Sequence, residues 1–245
     1  MRRISLLLVA VLMLIVTAVG SPAAVPTDSW QSTRVTDPNQ HKPTGRGGYP
    51  YRAMSDYVLR ELDLKPGDVV VDIGAGDGFW AELMAKFVGE QGIIHAAEVE
   101  KKKIDQMKKK FADVPQVRPY LCPTDGTGLA ENCCELAFLS KTYHHLDADG
   151  RVDYLRHLHK VVKPTGRLCV IEKYSQLATV HKSHDTSLSQ LMAVAEEAGW
   201  IAVRYELMTG TYHYIAIFVQ RELFPPEPSA PKRRPANRQA GQKRN

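Results

Sequence analysis

Cysteine is scarce in this chain: 245 residues carry four, at positions 122, 133, 134 and 169. No CxxC pair occurs, so neither a disulfide-built scaffold nor a zinc finger fits, and the fold must rest on its own hydrophobic core. Internal repeats are absent too. The body of the chain also lacks basic charge. The net charge is +5, but residues 225–245 supply +5 by themselves and residues 1–24 a further +2, which leaves −2 for residues 25–224. That excludes a basic nucleic-acid-binding domain. What the chain does have is apolar mass: 44% hydrophobic against 24% charged residues is enough for one sizeable core and excludes a purely disordered protein.

Both ends read as something other than fold. Residues 1–24 run from Arg2-Arg3 through the apolar stretch Ile4 to Val19 into "GSPAA", the plan of a secretory signal peptide with cuts after Gly20 or Ala23. Export is the expectation. The alternative is an uncleaved membrane anchor, although this run is shorter than the roughly 20 residues a spanning helix needs. Residues 25–50 read as an extended lead-in, with Pro26, Pro38, Pro43, Gly45, Gly47 and Gly48. The stretch 223–245 is rich in proline and base and has almost nothing to bury, so it is expected to be disordered. It is either a solvated terminus or a weak electrostatic contact for anionic surfaces.

Between the ends, strand and helix alternate. Met54, Tyr57, Val58 and Leu62 fall at helical spacing. "VVVDI" (69–73) is an unbroken β-branched run of the kind buried on both faces in a parallel sheet. A helix follows over 79–88, then the strand "GIIHAAEV", a helix with Ile104, Met107 and Phe111 inward, and the strands "QVRPYLC" and "ELAFLS". A helix over about 147–162 leads through "KPTG" to "RLCVIEKY", and a helix over 188–198 precedes two closely spaced strands, "WIAVRYEL" and "YHYIAIFVQ". Helices and strands of this length imply βαβ units and a Rossmann-like α/β fold, a mostly parallel sheet covered on both faces. The last two strands are joined too closely for a crossover helix and should pair as an antiparallel hairpin.

Chemistry starts where the first strand ends. "DIGAGDG" places Gly74, Gly76 and Gly78 between strand and helix, outside the carboxyl end of a strand, where open α/β sheets bind ligands. Bare backbone there lets a ligand approach closely. Asp72 can accept hydrogen bonds from the loop or, through water, from a ligand ammonium. A dinucleotide fingerprint needs a sixth-position glycine, and that position is Phe79, so NAD(P) and FAD are disfavoured. Glu98 lies 20 residues after Gly78 at the end of the second strand, where a carboxylate can accept both hydroxyls of a ribose, with Glu100 as a weaker substitute. Asp125, in "CPTDGTG", is placed to accept an exocyclic amine of adenine. The competing readings are a helix cap for Asp125 and a surface acid for Glu98.

From about Tyr51 to Arg221 the sequence resembles the class I S-adenosylmethionine-dependent methyltransferase family. "VVVDIGAGDG" is similar to its first motif and "HAAEVE" to its second-strand acidic motif. "CPTDGTGLAENCCELAFL" is similar to its adenine loop and fourth strand, and "VVKPTGRLCVIE" to its entry to the fifth strand. The resemblance implies a methyltransferase domain over 51–222, a seven-stranded sheet with the last strand antiparallel, and S-adenosyl-L-methionine as methyl donor. It also implies that Asp72, Gly74, Gly76 and Gly78, with Ala75, hold the methionine part. By the same resemblance Glu98 with Val99 holds the ribose, and Asp125 with Gly126 the adenine. Two positions depart from the pattern: Glu135 stands where the family usually has Asp, and Thr165 where it usually has Gly.

"KTYHHLD" (141–147) takes the place that resembles an acceptor-facing loop, so Tyr143, His144 and His145 are the candidates for a base. Transfer from a sulfonium is an in-line displacement, and a base is needed only when the acceptor must lose a proton. Alternatively these side chains pack and cap the next helix. No metal site is expected: His181 and His184 lack a third partner, and His157 and His159, two apart on a helix, face different directions. The lysine triplets 101–103 and 108–110 read as a solvated helix face. Adjacent Cys133 and Cys134 would form a strained bond, and an exported chain could instead bridge one of them to Cys122. The expected partner is a small-molecule acceptor, with no specific nucleic acid. A non-catalytic exported module that binds a nucleoside on the same fold is the alternative.

Overall fold

The computed structural model describes residues 50–174, 186–208 and 211–225, all within the compact unit His41–Asn245. The leader, most of the lead-in, His181, His184 and the basic tail beyond Pro225 lie outside the described residues. A 3-10 turn, Pro50–Met54, runs into helix α1 (Ser55–Leu62). Then come β1 (Val69–Ile73), α2 (Phe79–Val88), β2 (Ile93–Glu98), α3 (Lys101–Lys110), β3 (Val117–Leu121) and β4 (Cys134–Ser140). After the 3-10 turn Tyr143–His145 follow α4 (Arg151–Val161), β5 (Val162–Lys173), α5 (Leu188–Glu197), β6 (Trp200–Met208) and β7 (His213–Gln220).

The seven strands form one sheet in the order β3-β2-β1-β4-β5-β7-β6. The first five are parallel to their neighbours, and β7 inserts antiparallel between β5 and β6. The hairpin read from the short link is therefore present, with Met208 paired to His213. Alternation along the strands sorts the core into two layers. Val70, Ile94, Ala96, Phe138 and Ile171 pack with α1, α2 and α3 on one face. Val71, Ile73, Ala97, Leu139 and Val170 pack with α4 and α5 on the other. The sheet is thus apolar on both faces, as the β-branched runs require.

Strand β5 begins five residues earlier than the expected "RLCVIEKY", because "KPTG" itself joins the sheet and Val162 pairs with Cys134. Glu135 explains part of this. Its carboxylate accepts the Val69 amide at 2.8 Å and pairs with Lys163, so one side chain ties the starts of β1, β4 and β5 together. The longer acid in place of Asp thus serves the sheet edge, away from the ligand side. Thr165 is exposed on the same early stretch. Helix α4 starts at Arg151 rather than near Asp147, since residues 147–150 form a turn whose Gly150 amide donates to Asp147 O at 3.1 Å. All four cysteines are free, and Cys133 Sγ and Cys134 Sγ stand 3.4 Å apart. No Cys122 bridge forms.

Candidate active site

The strand order fixes where a ligand belongs. After β3 the chain crosses to the far side of β1, so β1 and β4 flank the point where the winding reverses, and the crevice outside their carboxyl ends is the natural binding site. A cavity of about 990 Å³ opens there. Ile73 to Gly76 after β1, Glu98 to Glu100 after β2, Cys122 to Asp125 after β3 and Ser140 to Thr142 after β4 line it.

The turn after β1 lies flat against the end of β2. Gly74 and Ala75 both donate to Ala97 O at 2.9 and 3.0 Å, Gly76 donates to Glu98 Oε2 at 3.0 Å, and Gly78 donates to Ala75 O at 2.9 Å. The Phe79 amide, first in α2, is taken by Asp77 Oδ1 at 3.1 Å. A loop whose amides are spent this way cannot cradle a pyrophosphate, which needs free N–H groups at the helix start. Three acids crowd the same turn: Asp72, Asp77, which is paired with Arg52, and Glu98, with Lys103 nearby.

The three glycines of this turn serve different ends. A Cβ at Gly74 would run into the Thr142 side chain, so bareness there lets the β4 loop close on the β1 loop. At Gly76, with φ +61°, a Cβ would meet nothing nearer than Gly74 O at 3.8 Å, so this position faces open cavity. Gly78 does not line the cavity: its Cα backs onto Phe111 and Met107, and it is a packing glycine rather than a ligand contact.

Asp72 lies fully buried beneath the turn. Oδ2 has no hydrogen-bond partner among the described residues, although the Ala81 amide donates to the carboxyl group. Burial, then the nearby Asp77 and Glu98 charges, push its pKa up to about 7. Asp72 itself does not line the cavity; a buried carboxyl group with one oxygen unpartnered is a place where a water, and through it a ligand ammonium, is stabilised. Glu98 is on the wall as expected, but its carboxylate is busier than a ribose acceptor needs to be. Oε1 accepts the Val99 and Glu100 amides at 2.8 and 3.2 Å and Oε2 accepts Gly76, with Lys103 Nζ at 3.7 Å. One lone pair on Oε2 remains for a hydroxyl, so acceptance of both ribose hydroxyls by the free carboxylate is not supported. Asp125 is exposed on the wall, and Gly126 is buried against the His157 ring instead of facing the cavity.

Of the three candidates for a base, only His145 lines the cavity. Tyr143 is 1% exposed in the core, and burial pushes its pKa up to about 12, which disqualifies it near neutral pH. His144 is turned to Glu172, with Nδ1 2.9 Å from Oε2 and its amide 3.3 Å from Oε1. Glu172, 0% exposed at the end of β5, also takes Lys141 Nζ at 3.2 Å. Burial alone would raise this carboxyl group, but the His144 hydrogen bond and the Lys141 charge outweigh it and hold the pKa below the usual range. The loop backbone is bent to match, with Lys141 at φ +59°.

The wall also includes side chains that sequence reasoning passed over, among them Tyr51, Arg52, Trp80 and Ser140. Trp80 Nε1 donates to Ser140 Oγ at 2.9 Å, and Ser140 Oγ donates to the Tyr51 hydroxyl at 3.4 Å. Arg52 grips Asp77 through both terminal nitrogens at 2.9 and 3.0 Å and lies over the Phe79 ring. Tyr51 and Arg52 read as the hydrophobic and charged start of a helix, and nothing local to them signals a cavity.

A cavity at the switch point of a 3-2-1-4-5-7-6 sheet, with a bare-backbone turn after β1 and acids at the ends of β2 and β3, is the arrangement of a class I methyltransferase fold. The family described as "Methyltransferase domain" matches residues 70–166. The ubiquinone/menaquinone biosynthesis C-methyltransferase UbiE of Paraburkholderia phymatum is 24% identical over 170 residues. That match takes in 68% of this chain and spans 65% of the relative's length. A SAM-dependent methyltransferase from Aquifex aeolicus superposes with a TM-score of 0.61 at 25% identity, covering 74% of this chain and 97% of that one. Geranyl diphosphate C-methyltransferase from Streptomyces coelicolor, solved with S-adenosyl-L-homocysteine, shares the fold at a TM-score of 0.58 and 11% identity, covering 69% and 78% of the two chains. By the family match and by its fold, the chain is similar to class I S-adenosylmethionine-dependent methyltransferases.

Proposed function

We propose that the protein transfers a methyl group from S-adenosylmethionine to a small or medium-sized acceptor. The observation that carries this reading is the open Gly76 position on the cavity at the point where the strand order reverses, with Glu98 and Asp125 on the same wall. When bound, the donor supplies an electrophilic methyl on a sulfonium. The chain's own contribution is placement. The Gly74–Gly76 backbone and Asp72 receive the amino-acid end, Glu98 offers one lone pair to the ribose, and Asp125 stands at the adenine end. Tyr51, Trp80 and Ser140, hydrogen-bonded to one another, line the cavity and supply an aromatic wall against which an acceptor can be held. His145 is the group positioned to take a proton when the acceptor must lose one.

The test is direct. Purified protein is titrated with S-adenosylmethionine by calorimetry and then incubated with the donor and pools of small acceptors while S-adenosylhomocysteine is measured. Accumulation of S-adenosylhomocysteine supports the enzyme. Tight donor binding without turnover on any pool supports the non-catalytic module instead. Gly76→Ala is the control: left-handed strain there costs roughly 1–2 kcal/mol, so the sheet stays folded while the new methyl projects into the cavity and blocks the donor. His145→Ala should lower turnover on a protic acceptor and leave donor affinity unchanged.

Export is the proposed route for the chain, resting on the Arg2-Arg3 start, the apolar run and the small residues after it. An exported transferase needs its donor outside the cytoplasm, and the alternative is an anchor that leaves the domain on the cytoplasmic side. Fractionation, with sequencing of the mature N-terminus, separates the two: a start at Ser21 or Ala24 marks a cleaved leader.

A further inference from the structure

The loop that carries Asp125 has no regular structure of its own, so something else must hold it in place. Four contacts converge on Thr127, two residues on and 0% exposed. The Tyr120 hydroxyl donates to Thr127 O at 2.8 Å. The Thr127 amide donates to His157 Nε2 at 2.9 Å, and Thr127 Oγ1 lies 2.9 Å from the same nitrogen while accepting the Leu129 amide at 3.3 Å. Gly126 fits against the imidazole so closely that a Cβ there would stand 3.2 Å from Nε2. His157 comes from α4, whose Tyr154, one turn earlier, lines the cavity and faces the imidazole edge-on at 6.4 Å between ring centres.

The amide contact selects one state of this ring. A backbone amide can only donate, so Nε2 must present its lone pair and the proton of the neutral ring must sit on Nδ1. A doubly protonated ring has no acceptor for the Thr127 amide: its Nε2–H can turn only to Thr127 Oγ1, 2.9 Å away, and leaves the buried Thr127 N–H without its partner. Burial favours the neutral ring first of all; the Asp125 charge opposes that and the Lys160 charge reinforces it. Tyr154 bears on the ring only as a neutral group, because burial carries its own ionisation far above neutral pH.

We propose that His157 is a positioning residue for the nucleoside: as a neutral acceptor it seats the Asp125–Gly126–Thr127 turn, and its protonation unseats that turn and weakens donor binding. The proposal rests on the reading that this cavity takes S-adenosylmethionine. His157 reaches the ligand only through the turn it holds.

The experiment is calorimetric titration of the full chain with S-adenosylmethionine between pH 5 and 7.5. Wild type is compared with His157→Gln, whose side-chain oxygen takes the place of Nε2 as an acceptor that does not titrate, and with His157→Ala. Wild-type affinity should fall about five- to tenfold from pH 7 to pH 5, the worth of one hydrogen bond. That part of the fall should be missing in His157→Gln, which binds like wild type at pH 7. Any pH dependence from Asp72 persists in both. His157→Ala should bind about five- to tenfold more weakly at pH 7. Nitrogen NMR of the histidine rings should place the proton on Nδ1 at pH 7, a readout that does not depend on the alanine variant folding. Parallel pH profiles for wild type and His157→Gln, or a proton on Nε2, would overturn the proposal alone. A wild-type protein that melts cooperatively at pH 7 yet binds no S-adenosylmethionine would overturn the functional reading and this inference with it.

Discussion

Asp72 and Glu98 end neighbouring strands, carry the same charge and live in opposite conditions. Glu98 spends three of its lone pairs on backbone amides, whereas Asp72 keeps an oxygen unpartnered in the dark side of the turn. Because the Asp72 pKa is raised to about 7, the folded chain holds a proton that the unfolded chain gives up near pH 4. Stability therefore falls as pH rises through that interval and stays lower above it. Asp72→Asn keeps the shape and removes the charge. It should be more stable than wild type by roughly 2–4 kcal/mol at pH 8 and by little near pH 4. Guanidinium melts at the two pH values check this, and an equal difference at both would refute it. Glu98→Ala should weaken donor binding by roughly 1.5–3 kcal/mol, the range for a hydrogen bond to a charged group. It should also lower the melting temperature of the free protein, because three amides lose their acceptor. A ribose contact alone would leave that temperature unchanged. The positions of Glu98 and Asp125 were legible from strand ends and spacing. The division of labour among Gly74, Gly76 and Gly78 was not, since it depends on Thr142, Phe111 and open space, which meet the turn only in the folded chain.

Elements with an unbroken apolar run, β1 and β4 above all, were readable because burial on both faces leaves one residue pattern. Those shaped by distant partners were not. β5 extends back to Val162 through its pairing with Cys134, and the turn Tyr143–His145 takes its shape from a carboxylate 27 residues beyond His145, Glu172. Glu172 is thus an anchor shared by Lys141 and His144 in this loop. In Glu172→Ala, Lys141 loses a buried counter-charge and His144 its carboxylate partner, and the fold should lose about 3–5 kcal/mol, as when one partner of a buried ion pair is removed. The Glu172 pKa is depressed, so its contribution is present above the ordinary carboxylate range and fades as the pH falls through the lowered folded value. The gap between wild type and Glu172→Ala in chemical denaturation should therefore narrow at strongly acidic pH; a gap independent of pH would mean the carboxylate acts by shape alone.

At the scale of the whole molecule, the strand order places the ligand against the ends of β1 to β4, so binding couples the first half of the sheet to the fourth strand. A ligand that binds only the folded chain raises its stability by mass action. S-adenosylmethionine at about 100 times its dissociation constant should add about 2.7 kcal/mol, a rise of roughly 5–11 °C in melting temperature for a domain of this size. The Gly74, Ala75, Gly76, Gly78 and Phe79 amides of the turn after β1 are already bonded within the protein, so NAD at the same concentration should leave the melting temperature where it is. The contrast makes thermal melting with the two ligands a test of the cavity as a whole. Equal shifts with both would mean that the cavity does not discriminate by the chemistry of its first turn. A shift with NAD alone would assign the protein to hydride transfer and end the methyl-transfer reading.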